Sequence, residues 1–98
     1  MEYKYLTSTL ICVNTSKEKI LDLVDDFTIK GEIILLSSFN ILDDSISETD
    51  SYFDMDKEKV NISDRLIVYG DASSADVYVN ALVEYAKSLG KSIQFYTD

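Results

Sequence analysis

Four short runs rich in β-branched and aromatic residues alternate with stretches whose apolar residues recur at helical spacing, and this alternation is the strongest constraint on the fold. The runs are residues 5–13, 32–37, 64–69 and 92–96. The order β-α-β-(loop, short helix)-β-α-β argues for a parallel sheet with helices packed on it through right-handed crossovers. The expected fold is a small three-layer α/β domain of flavodoxin/Rossmann-like type, with about four parallel strands and flanking helices. Residues 1–98 are one domain, since 98 residues leave no room for a second core.

Helix starts and stops are written locally. Thr15-Ser-Lys-Glu18 reads as a capping box, with Thr15 as the cap, before a helix whose apolar residues Ile20, Leu23, Val24 and Phe27 lie on one stripe. Gly31 ends that helix, and the continuous apolar run after it reads as a strand buried on both faces. The three glycines, Gly31, Gly70 and Gly90, all fall at element boundaries, and the chain has no proline. Ser73 or Ser74 can cap a helix to about Leu89 whose apolar face is Tyr78, Leu82, Tyr85 and Leu89, with Ala81 and Ala86. A short helix from Asp54 to about Asn61 precedes the third strand.

Composition removes whole classes of function. The formal charge is −9 and the pI about 4.2, so direct binding to nucleic-acid backbone is not expected, nor is attraction to anionic lipid. There is no histidine and a single cysteine, Cys12, which excludes histidine acid–base chemistry, histidine metal ligands, an internal disulfide and a cysteine-rich zinc site. Cys12 lies mid-strand and reads as a small core residue. No cofactor or metal is expected. Neither a leader nor an apolar run long enough to span a bilayer is visible, which makes a cytoplasmic location the expectation.

The acidity is uneven. Residues 1–36 carry −2 and residues 57–98 carry −1, whereas residues 37–56 hold Asp43, Asp44, Glu48, Asp50, Asp54 and Asp56 with no base. Residues 37–53 read as an irregular, solvated acidic loop. It lacks the turn glycine of a calcium loop. A negative surface of this kind can also serve a basic protein partner or mimic nucleic acid.

Three blocks resemble the small nucleoside 2-deoxyribosyltransferase-like family. Leu10-Ile-Cys-Val-Asn-Thr15 is similar to its opening strand and Cys-Gly-Ser-Thr-Arg type turn, and Phe27-Thr-Ile-Lys-Gly-Glu-Ile-Ile-Leu35 to its L-T-x-x-G-x-I-V-L segment. Lys57-Glu-Lys-Val-Asn-Ile-Ser-Asp64, a strand, then Val83-Glu-Tyr-Ala-Lys-Ser-Leu-Gly-Lys91 is similar to H-K-x-K-I-D-x-A-D…I-E-Y-A-K-x-L-G-K. The resemblance implies N-glycosidic bond cleavage or exchange, in which one carboxylate attacks the anomeric carbon and a second protonates the departing base. The position of the attacking carboxylate falls on Leu82, which has no nucleophile. The first-turn glycine corresponds to Val13 and the following arginine to Ser16; the paired aspartates correspond to Asn61 and Asp64.

The remaining carboxylates that could serve are Asp71, with an ordinary turn explanation, Asp76, with a helix-start one, and Asp64. Asn14, Thr15, Ser73 and Ser74 can hydrogen-bond a neutral ligand, and Tyr69 at the end of the third strand can approach it. Three readings follow. One is a catalytically lapsed relative that binds a nucleoside or nucleotide ligand or serves as an assembly scaffold. Another is an active N-glycosidase or deoxyribosyltransferase with a relocated carboxylate, or one supplied by a neighbouring subunit. The last is an acidic interaction protein. A homodimer is expected, two thin units covering each other's helix faces.

Overall fold

The computed structural model describes residues 5–41, 50–70 and 77–97. In chain order these form β1 (Thr7–Val13), α1 (Lys17–Ile29), β2 (Ile33–Leu36), α2 (Ser38–Ile41), α3 (Asp50–Ile62), β3 (Arg65–Gly70), α4 (Val77–Ser88) and β4 (Ser92–Tyr96). The strands form one sheet of order β2-β1-β3-β4, every neighbouring pair parallel, as the α/β reading expected.

β1 and β3 are the two inner strands, and their side chains alternate between two layers. Leu10, Cys12, Ile67 and Tyr69 face α1, where they meet Ile20 with Leu23, Val24 and Phe27. Ile11, Val13, Leu66 and Val68 face the other way, onto Val60 of α3 and Val79, Leu82, Val83 and Ala86 of α4. The buried stripe of α4 therefore runs 79, 82, 83, 86, with Tyr78 and Tyr85 only flanking it. Ala81 and Leu89, expected on that face, are exposed.

Three local expectations are corrected. β2 is an edge strand, so it is not buried on both faces: Ile33 is 48% exposed. The α1 cap is Ser16, whose Oγ accepts from the Lys19 amide at 3.2 Å. Thr15 cannot take that role because its hydroxyl donates to the Val13 carbonyl at 2.9 Å. The span read as an irregular loop, residues 37–53, contains α2 and the start of α3, which begins at Asp50 rather than Asp54. Residues 42–49 lie outside the described residues.

A polar strip crosses the amino end of the sheet on the α1 side. Arg65 donates from Nε to Ser8 Oγ at 2.9 Å and from one terminal nitrogen to Gln94 Oε1 at 2.7 Å. The other terminal nitrogen pairs with Glu32, both side chains being only 13% exposed. One guanidinium thus ties residues in or beside all four strands. Replacing Arg65 by Met removes three cross-strand partners and leaves Glu32 largely buried without its cation. The expected loss is about 2 kcal/mol, read as a lowered urea midpoint at unchanged slope.

Candidate functional site

From the centre of the sheet the chain passes outward from β1 to β2 in one direction, and from β3 to β4 in the other. The carboxyl ends of β1 and β3 are therefore the switch point where open α/β sheets bind ligands. Two backbone features shape that edge. Asn14, directly after β1, has φ +51°, a left-handed conformation that asparagine tolerates better than most residues. Gly70, at the end of β3, has φ +115°, and a Cβ there would stand 2.3 Å from the Val13 carbonyl oxygen. Only glycine lets the ends of the two strands come this close.

Beyond them opens a cleft of about 570 Å³ lined by the Val13–Ser16 turn, Lys19, Tyr69, Gly70 and Thr97. Its volume suits a small-molecule ligand. The walls supply the Asn14 amide, the Thr15 and Ser16 hydroxyls and the start of α1. Tyr69 forms part of the floor, largely buried, with the Lys19 ammonium 5.7 Å from its ring centroid. Among the described lining residues there is one cation and no carboxylate. The structure thus brings together Asn14, Thr15 and Tyr69 of the expected ligand residues. Lys19 and Gly70 join them; sequence reading saw only a charged helix residue and a boundary in these two.

The other candidates are placed elsewhere. Asp64 stands at the amino edge of the sheet, where its carboxylate accepts from the Thr7 amide at 2.9 Å and its own amide donates back to the Thr7 carbonyl. It fastens the start of β1 and is separated from the cleft by the length of β3. Asp71, Ser73, Ser74 and Asp76 lie outside the described residues. Cys12 is buried, and burial pushes its thiol up to about 12, so it stays protonated near neutrality as a core residue. Leu82 is 0% exposed, packed among Val60, Val79 and the inner strands.

The sequence reading missed a second polar centre, on the α3/α4 side of the same edge. Asp56 is 0% exposed although it belongs to the base-free acidic span 37–56. Its carboxylate accepts from the Ser37 hydroxyl at 2.7 Å, the Ser38 amide at 2.8 Å and the Tyr78 hydroxyl at 2.5 Å, with the Lys59 ammonium 3.5 Å away. Burial first, then the hydrogen bond to Asp56 and the charge it carries, holds the Tyr78 phenol well above its ordinary range, so it remains a donor. A signal was available: Phe53, Asp56 and Val60 are spaced i, i+3, i+7, which puts Asp56 on the apolar face of α3. Asn40 had no such signal. Its side-chain amide accepts from the Cys12 N–H at 2.7 Å and donates to the Cys12 carbonyl at 2.9 Å, continuing the β1 ladder beyond the end of β2.

The sequence matches no family model and no curated protein. The structure is similar to that of a CMP N-glycosidase, BcmB, from Clostridium botulinum, with a TM-score of 0.63 at 17% identity over 92% of this chain and 68% of that one. The two chains therefore share a fold, the parallel four-stranded α/β domain that the sequence led one to expect. Among the described residues no helix is long and apolar enough to cross a membrane, and no three metal-ligating side chains gather.

Removing the Asp56 carboxylate takes a shared acceptor from three donors and a counter-charge from Lys59, whose ammonium keeps the Leu36 carbonyl, while the Tyr78 hydroxyl keeps the Tyr52 carbonyl. Asp56→Ala is expected to destabilise the fold by about 3 kcal/mol, whereas Tyr78→Phe, which removes a donor along with its bond, costs about 1 kcal/mol. In a double-mutant cycle followed by urea denaturation the two losses are non-additive, the second change costing little once Asp56 is gone.

Proposed function

We propose that this chain binds a nucleoside-like ligand in the cleft between the ends of β1 and β3 and does not cleave its N-glycosidic bond through the family's usual helix position. The carrying observation is Leu82. A nucleophile must reach the anomeric carbon, and this side chain is both without a carboxylate and sealed in the α4 core. The buried carboxylate nearest that helix, Asp56, is occupied by its own protein partners and has no solvent-facing surface. The cleft itself offers hydroxyls, an amide and an aromatic ring, which suit a sugar and a base.

Similarity to a CMP N-glycosidase supports a nucleoside or nucleotide as the ligand class. Asp71 follows cleft residue Gly70 in the chain, so a relocated carboxylate is the reading to test against. The experiment pairs calorimetric titration of cytidine, CMP and deoxynucleosides with chromatographic detection of free base after long incubation. Saturable binding, weakened at least fivefold by Asn14→Ala or by Tyr69→Leu, with no base released, is the expected result. Base release that is abolished by Asp71→Asn or Asp76→Asn establishes the active reading instead.

A further inference from the structure

We propose that β4 is a self-pairing edge: two copies of this chain join their β4 strands antiparallel about a two-fold axis through Gln94, making one continuous eight-stranded sheet. The inference is independent of what the cleft binds. The apolar faces of α1 and α4 pack on the sheet, so the proposal uses a sheet edge in place of the expected helix-face contact.

The two edges of the sheet differ. At β2, the Ile33 and Ser37 amides donate inward to β1, so Leu36 between them turns its carbonyl outward, where the Lys59 ammonium takes it at 2.9 Å. A lysine guarding an edge carbonyl is a standard way of blunting a strand. Among the described residues β4 pairs with β3 alone. Ser92-Ile-Gln-Phe-Tyr96 contains no charge, proline or glycine, and its Phe95 and Tyr96 are 55% and 40% exposed. Such an edge accepts another extended strand through its backbone groups, so the occupant must be a β-strand.

The side chains specify which strand. With Gln94 opposite Gln94 of the second copy, all five residues find partners: Ile93 faces Phe95, and Ser92 faces Tyr96. The apolar pairs fall on the α4 side, because Ile93 packs with the α4 core. There the second copy's Phe95 adjoins a groove of about 390 Å³ lined by Val79, Val83 and Phe95 together with Asn80, Glu84 and Lys87. The polar pairs fall on the α1 side, where Gln94 Oε1 already accepts from Arg65 and from the Tyr96 hydroxyl. Apolar meets apolar and polar meets polar under the two-fold, which makes the strand complementary to itself.

The interface strand is neutral while each copy carries −9, so long-range repulsion opposes the pairing and salt relieves it. Sedimentation of the wild-type chain is expected to shift from monomer towards dimer between about 1 and 200 µM, the range of a small interface. The dimer fraction rises as sodium chloride is raised. Phe95→Lys, with its far-UV spectrum and urea midpoint preserved, stays monomeric throughout. Register is tested with Ser92→Cys and Tyr96→Cys: oxidising a mixture of the two yields a disulfide-linked dimer, and oxidising either alone does not, Cys12 being buried. A wild-type monomer at every concentration, a dimer that weakens with salt, or one indifferent to Phe95→Lys overturns the proposal. Cross-linking of either cysteine variant with itself overturns the register.

Discussion

The parallel pairing of β1 with β3 is the constraint on which the rest of the molecule depends. These strands are buried on both faces, so each must supply apolar side chains to two layers at once. Their register sets Val13 beside Gly70, and the approach is closer than any side chain at position 70 would permit. From that contact follow the left-handed turn at Asn14 and the start of α1 at the cleft wall. The site is a product of the sheet's centre rather than of a separate binding loop.

The two sides of that centre have divergent characters. On the α1 side the edge opens into a polar cleft with a tyrosine floor. On the α3/α4 side Asp56 ties the β2–α2 turn, α3 and the first turn of α4 into one buried knot, and Leu82 fills the space next in line along α4. A carboxylate desolvated to this degree persists because each neighbour donates to it. Its acceptor capacity is thereby committed to holding helices, which is why the proposed function gives it no part in glycosyl transfer.

The fold was legible in the sequence because its signals are local. Strand runs such as Leu10–Val13 and the Ile20–Phe27 stripe are written in consecutive residues, and their alternation dictates a parallel sheet. What was misread depends on neighbours distant in sequence. The run at 33–36 looks doubly buried, yet strand order puts it at an edge. Thr15 and Ser16 are equally good caps by type, and only the bond from Thr15 to the Val13 carbonyl decides between them. Asp64 looked chemical but works as a strand fastener at the far end of the sheet. Asp56 was hidden among acids that share its charge but not its surroundings; its helical spacing with Phe53 and Val60 held the clue. Asn14, Thr15 and Tyr69 line one cleft because they lie where β1 and β3 end, a position readable from the strand pattern.

The claim at the centre of this account is that a nucleoside occupies the cleft where β1 and β3 end. An amide-resolved NMR titration with cytidine tests it most directly. The account predicts saturable, concentration-dependent shifts at Asn14, Thr15, Lys19 and Gly70, with the amides around Asp56 and Leu82 unmoved. Shifts confined to the α3/α4 side, or none at any ligand concentration across a panel of nucleosides and nucleotides, would contradict it.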